Sequence, residues 1–286
     1  MKPHKYNIAV LLATHKRTDA LSRSLFSLIN RAQDLDSVQF ILGIDDNDEI
    51  GLTHFTDVIQ PELDNREINY TALAFEPLGY MGLNQYYNEM AKNADADWLW
   101  VWCDDAICKT DNWDQRIREC TGEFKLLKVH THNDHPYSIF PIFPVEWLDT
   151  LGYLSKHQLI DAEASQLAYQ LDIMKIIEVD VTHDRADLTG NNKDENAEKK
   201  KYLEGNPNDP RDLYHEKFKL GRMIDSDRLA VYMRSKNIDT SWWQGVRVGK
   251  NNPFTLMKKN DPNNQTSMFD VVVDANGNKH MVAQKN

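Results

Sequence analysis

Two adjacent carboxylates, Asp104 and Asp105, follow a run of large apolar residues. Trp98, Trp100 and Trp102 alternate there with Leu99, Val101 and Cys103. Apolar residues on both faces predict a strand in the middle of a parallel sheet. Carboxylates delivered by such a strand are costly to bury unless they hold a cation or accept hydrogen bonds. The carboxyl ends of strands are also where open α/β sheets place ligands. Taken alone, the pair equally suits a solvated acidic turn that ends the strand.

Other chemistry-bearing residues fall at similar places. Thr14, His15, Lys16 and Arg17 follow the apolar run Ile8 to Ala13. Asp45, Asp46 and Asp48 follow Val38 to Ile44. His183 and Asp184 follow Ile176 to Val181. Asp161 falls in the first turn of a predicted helix, where the dipole favours an anion, so simple end-capping would also account for it. His130, His132 and His135 cluster in HTHNDHP. A metal is one reading; scattered histidines on a polar surface or acceptor site are the favoured one. Cys103, Cys108 and Cys120 lack zinc-type spacing and read as buried thiols in a reducing compartment.

These residues need a frame. The first hundred residues read strand, helix, strand, strand, helix, strand. The strands are Ile8 to Ala13, Val38 to Ile44, Ile68 to Phe75 and the tryptophan run. Thr18 or Asp19 can cap the first helix, whose face carries Leu21, Leu25, Leu28 and Ile29. Gly79 and Gly82 make a turn before a second helix with Leu83, Tyr86, Tyr87, Met90 and Ala91 on one face. This pattern predicts α/β layers around a mostly parallel sheet. Further on, short helices are expected at Trp113 to Cys120 and Pro144 to Leu151, with a strand at Phe124 to His130. A helix is expected from Ile160. Residues 1–188 read as one domain and Thr189 to Asp212 as a polar loop or lid. Residues 213–286 read as a C-terminal helical or irregular extension, with a helix over Leu213 to Lys236 and a hairpin turning at Asn276-Gly277.

The chain has 286 residues and a formal net charge of −11. An acidic chain is a poor general nucleic-acid binder, yet it can take a phosphorylated ligand through a divalent ion. From Thr240 onward the balance reverses to a local +3, which suits a solvated basic face or an anionic acceptor. The one N-terminal apolar run is too short for a signal or a membrane span, so a cytoplasmic location is expected.

In order, the motifs resemble those of GT-A glycosyltransferases, specifically the family 2-like group. They are a strand ending in Thr14 to Arg17, a strand ending in Asp45-Asp46 and a glycine turn before a helix. Then come the Asp104-Asp105 strand, KTDNWD, His135-Pro136, Trp147 to Gly152, Asp161 and a closing strand with His183. The likeness covers roughly the first two thirds of the chain. It implies a GT-A, Rossmann-like fold and a nucleotide-sugar donor, with a UDP-sugar favoured. It implies that Asp105 ligates Mn²⁺ or Mg²⁺ and that His183 closes the coordination sphere. Asp104 would contact the ribose or a metal-bound water. Thr14 would position a uracil-like ring, and Asp45 or Asp46 would accept its imide N–H. Arg17 would pair with the diphosphate, or else cap the sheet edge; Gly79 would line the donor site. Asp161 is implied as the general base of an inverting transfer, with Glu163 as a substitute. The family often shows D-x-D, whereas this chain has Cys103-Asp104-Asp105.

A metal-dependent phosphohydrolase or nucleotidyltransferase would use the same aspartates and histidine. A non-catalytic glycan-binding module would use the carboxylates only as caps. The acceptor, whether glycan, protein, lipid or modified nucleic-acid base, is open.

Overall fold

In the computed structural model, described for residues 3–131, 135–184, 203 and 205–240 and for the backbone of 269–273 and 279–283, the tryptophan strand is central. This strand, β4 (Ala96–Cys103), runs parallel to β1 (Tyr6–Thr14). Parallel pairing continues to β2 (Val38–Asp45) and β3 (Tyr70–Phe75). On its other side β4 pairs antiparallel with the short β7 (Ile142–Pro144), and β7 antiparallel with β6 (Leu126–Thr131). β6 pairs parallel with β8 (Met174–His183), and β8 antiparallel with β5 (Ala106–Cys108). The eight-stranded order is β3-β2-β1-β4-β7-β6-β8-β5. Two antiparallel steps restore direction, so β8 runs the same way as β4. Both deliver their carboxyl ends to one edge of the sheet, with β1 and β2.

Alternation along the central strands feeds two cores. Ile8, Val10, Leu12 and the rings of Trp98, Trp100 and Trp102 pack on one face. Helix α1 (Thr18–Ile29), the irregular helical run α2 (Glu49–His54) and α3 (Gln60–Asn65), and α5 (Trp113–Arg118) cover that face. Ala9, Leu11, Leu99 and Val101 face the other core. It is covered by α4 (Leu83–Lys92), α6 (Val145–Leu151), α7 (Ile160–Gln170) and α8 (Glu216–Ser235). Trp100 lies 4.6 Å from Trp102 and 5.0 Å from Trp113, ring centre to ring centre. A buried aromatic ring of roughly 150–250 Å² is worth about 4–6 kcal/mol at about 25 cal/mol per Å². The tryptophans therefore anchor β4, the strand on which the site is mounted.

Helix boundaries follow local chemistry. Gly152 ends α6 in the left-handed region, at φ 85°, where a side chain would be strained. α1 departs from expectation: it starts at Thr18, and neither Thr18 nor Asp19 caps it. Arg17 holds the cap position without a capping side-chain bond, because a guanidinium carries donors only and cannot accept a helix N–H.

Helix α8 shares the sheet's core through Leu229, Ala230 and Met233. Tyr153 Oη and Lys156 Nζ reach its buried Asp225 at 2.6 and 2.9 Å. Most of the expected lid, 189–202 and 204, lies outside the described residues, as do His132, Trp242, Trp243 and the basic run at 247–259. The described flank is docked: Leu203 and Leu213 are buried against Tyr137, Leu159 and Ala162. β9 (Phe269–Val273) and β10 (Lys279–Ala283) pair antiparallel, with Val273 opposite Lys279. The turn at Asn276-Gly277 falls outside the described residues. No described helix is long and apolar enough to cross a membrane.

Candidate active site

The loop after β1 is fixed by a carboxylate from the neighbouring strand end. Asp48, fully buried, accepts the Lys16 N–H at 2.6 Å and the Gly51 N–H at 2.9 Å. Lys16 sits at φ 57°. A Cβ on Gly51 would lie 2.3 Å from Asp48 Oδ2, so only glycine admits this cap. The anchored loop then projects Arg17 across the ends of β1 and β4.

Arg17 Nη1 donates to Asp104 Oδ1 and to Asp105 Oδ2, each at 3.2 Å. Asp104 Oδ2 accepts from the Thr14 hydroxyl at 2.8 Å. Burial pushes the Asp104 carboxyl up to about 6, against the pull of Arg17 and with the push of Asp105. Asp105 goes the other way. Burial opposes its charge, but hydrogen bonding and attraction from His183, with help from Cys103 and Arg17, hold it well below the usual carboxylate range. The two neighbours thus differ in character, Asp104 being the more easily protonated and Asp105 the firmly ionised one.

A short strand brings His183 to Asp105. After Asp105 the chain folds back as β5, whose Ala106 stands opposite His183 on β8. The Asp184 N–H donates to the Asp105 carbonyl at 2.6 Å and locks the register. His183 Nε2 then lies 3.2 Å from Asp105 Oδ1. Phe140 packs edge-on to the imidazole at 5.1 Å and tilts against Trp102 at 5.3 Å. The tryptophan strand therefore sets the position of both partners.

Next door, at the end of β2, Asp45 is buried and accepts from Tyr86 Oη at 2.6 Å. His15 Nδ1 lies 2.9 Å from its other oxygen. Tyr86 Oη accepts the Leu78 N–H at 2.6 Å, which ties the glycine turn to Asp45. Gly79 adopts φ 61°, ψ −171°, a region open essentially to glycine alone. Asp46 is exposed, one residue beyond the strand. The structure thus joins Thr14, Arg17, Asp104, Asp105 and His183 in one bonded group and sets Asp45 and Gly79 in an adjacent one.

Asp161 belongs to neither group. It is half-buried in the first turn of α7, as the sequence predicts, and lies near the His157 ring. Glu163, two residues on, engages the loop before α7 through one oxygen, Oε2. It is buried and accepts from Ser155 Oγ at 2.6 Å and from the N–H groups of Lys156 and His157 at 2.7 and 3.0 Å. The buried Arg222 of α8 is its electrostatic partner. His157 accepts the Leu159 N–H at Nδ1 and bonds the Arg211 carbonyl through Nε2, at 3.0 and 2.9 Å. Burial lowers its pKa to about 4.

Several motif residues turn out to be structural. Trp113 donates its indole N–H to the Leu28 carbonyl at 2.9 Å. Asp114, fully buried, accepts the N–H groups of Gln33 and Asp34 and pairs with Arg118 at 2.6 Å. KTDNWD therefore clamps the end of α1. Trp147 donates to the Leu154 carbonyl at 3.2 Å. His135 accepts the Tyr137 N–H at 3.1 Å, and His130 lies 3.5 Å from Glu178. Sequence reasoning gave no site role to His15 or Tyr86. The signal for both was present, a histidine directly after Thr14 and a tyrosine on the helix after Gly79.

The donor set fits a divalent ion. Asp105, His183 and Cys103 each place a ligand atom within 4.8 Å of the other two. The carboxylate suits Mn²⁺ or Mg²⁺, the imidazole tilts the choice away from Mg²⁺, and further oxygens would come from outside.

No family model matches the sequence, and no curated protein matches it. Among solved structures, the fold is similar to that of the mannosyltransferase PcManGT from Pyrobaculum calidifontis in complex with GDP-Man and Mn²⁺. Identity is 10%, the TM-score 0.54, and the match covers 90% of this chain and 79% of that one. It is also similar to S. aureus TarS 1-349 in complex with UDP-GlcNAc, at 12% identity and a TM-score of 0.53, covering 77% and 66% of the two chains. With this likeness and its sheet order, the chain has the GT-A fold.

Proposed function

We propose that this chain is a glycosyltransferase that moves a sugar from a nucleoside-diphosphate donor, a UDP-sugar in our reading, to an acceptor hydroxyl. The observation that carries the reading is the Asp105–His183 pair, 3.2 Å apart, at the carboxyl edge of the sheet and beside a cationic Arg17. Asp105 and His183 would hold a divalent ion, which as a Lewis acid neutralises the diphosphate as the glycosidic bond breaks. That GDP-Man with Mn²⁺ and UDP-GlcNAc are bound by the two similar structures supports this reading.

The chain's own residues divide the work. Arg17 supplies a fixed positive charge beside the leaving diphosphate. Thr14 holds Asp104 in place. Asp45, held by Tyr86 and His15, and the exposed Asp46 supply acceptors at the base end of the donor, where a uracil imide N–H would be recognised. Asp161 takes the proton from the acceptor hydroxyl as its oxygen attacks the anomeric carbon. Attack opposite the leaving diphosphate inverts that centre.

A panel of nucleotide sugars with Mn²⁺ tests the reading by the product released. A nucleoside diphosphate released only with an acceptor present supports it. Inorganic phosphate or pyrophosphate would point instead to a phosphohydrolase or nucleotidyltransferase using the same residues.

A further inference from the structure

We propose that Cys103 is a third protein ligand of the Asp105–His183 ion site, so that the site selects a thiophilic divalent cation such as Zn²⁺ or Co²⁺ over Mg²⁺. The inference rests on the ion site of the preceding reading and adds a ligand and a metal preference to it.

The two oxygens of Asp105 have separate partners. Oδ2 faces Arg17 at 3.2 Å. Oδ1 faces Cys103 Sγ at 2.7 Å and His183 Nε2 at 3.2 Å. Cys103, Asp105 and His183 each place one ligand atom within 4.8 Å of the other two. Asp104 does not share this convergence: its oxygens are engaged by Thr14 and Arg17. So both oxygens of Asp104 are already engaged, and the third ligand atom beside Asp105 and His183 is a sulfur.

Coordination distances allow this set to close. With metal–sulfur bonds of about 2.3 Å and metal–nitrogen or metal–oxygen bonds of about 2.0–2.1 Å, neighbouring ligand atoms in a tetrahedron lie roughly 3.4–3.6 Å apart. The sulfur–oxygen spacing needs to open by under about 1 Å, and the nitrogen–oxygen spacing by less. Three protein ligands then leave one position open, the arrangement of catalytic zinc rather than structural zinc. That position would take a donor oxygen. Binding exchanges a proton for the ion: Cys103–SH plus M²⁺ gives Cys103–S–M⁺ and H⁺, the proton passing to solvent. A thiolate favours soft and borderline ions and adds little for Mg²⁺. The other two cysteines stand apart, Cys108 Sγ against the Thr110 carbonyl and Cys120 Sγ against the Arg116 carbonyl.

The test uses the full chain, stripped by chelator and titrated with Co²⁺ without any nucleotide. The wild type should show a sulfur-to-cobalt charge-transfer band saturating at one equivalent. Zn²⁺ should abolish it. Cys103→Ser should lose the band and weaken Zn²⁺ binding about tenfold or more, with Mn²⁺ affinity within about threefold of wild type. The wild-type spectrum alone decides whether sulfur ligates, so a poorly folded variant does not spoil the test. Stoichiometric cobalt binding that is lost in Asp105→Ala but carries no sulfur band overturns the Cys103 assignment and leaves the ion site standing. No binding of Co²⁺ or Mn²⁺ to the wild type overturns both.

Discussion

Arg17 Nη1 lies 3.2 Å from Oδ1 of Asp104 and 3.2 Å from Oδ2 of Asp105, so one guanidinium spans both members of the acidic pair. It is the internal counter-charge that lets two adjacent carboxylates sit at the end of a buried strand. One cation cannot fully compensate two anions, and the deficit falls on Asp104.

Asp104 should therefore cost stability at neutral pH. Its pKa in the fold is about 6, above the ordinary 3.8. Protonation thus favours the fold; the stabilisation is complete below 3.8 and is lost as pH rises through 6. The penalty at pH 7.5 is up to about 3 kcal/mol at about 1.4 kcal/mol per unit. Asp104→Asn should melt higher than wild type at pH 7.5, with the gap closing below pH 4. Equal melting at pH 7.5 would show that the charge is already compensated.

His157 has the opposite sign. Burial lowers its pKa from 6.5 to about 4. Its neutral form supports the fold; that support is complete above 6.5 and falls away as pH drops toward 4. About 3 kcal/mol is at stake. Denaturant melts of wild type and His157→Gln between pH 7 and 4 should converge as the wild type loses this term. A wild-type loss that His157→Gln shares in full would assign it to another group.

Asp114→Ala should leave two backbone N–H groups without their acceptor and remove the buried carboxylate that pairs with Arg118 at 2.6 Å. Such losses cost about 3 kcal/mol or more. A large fall in denaturation midpoint is expected, with kinetic constants per folded molecule near wild type. A normal midpoint with lost turnover would instead place Asp114 in the chemistry.

Asp161→Asn separates binding from proton transfer. A general base contributes about 10² to 10⁴ in rate. Turnover should fall by that factor while UDP affinity stays near wild type. Full turnover would remove Asp161 from the reaction and make Glu163 the next base to test; its Oε2 is bonded to the Ser155 to His157 loop.

The central strands and the two-sided burial of β4 were legible because continuous apolar runs have few alternatives. β5 and β7 were not, at three residues each, yet β5 is what brings His183 to Asp105. That juxtaposition came only through the family resemblance. Buried capping carboxylates such as Asp48 and Asp114 look the same in sequence as ligand carboxylates. What separates them is whether backbone N–H groups surround them, which is a matter of tertiary structure. Helix α8 was legible as a helix over Leu213 to Lys236 and is found at Glu216–Ser235; that it packs on the sheet's core was not, because polar residues interrupt its apolar positions. Cys103 read only as a buried thiol, since its neighbour from β8 lies far along the chain.

The most direct test of the account is titration of UDP into wild type and Asp105→Ala, with Mn²⁺ and with chelator. The account predicts that Mn²⁺ strengthens UDP binding to the wild type and that this gain disappears in Asp105→Ala, leaving the weak binding seen with chelator. An Mn²⁺-dependent gain of equal size in Asp105→Ala would contradict it.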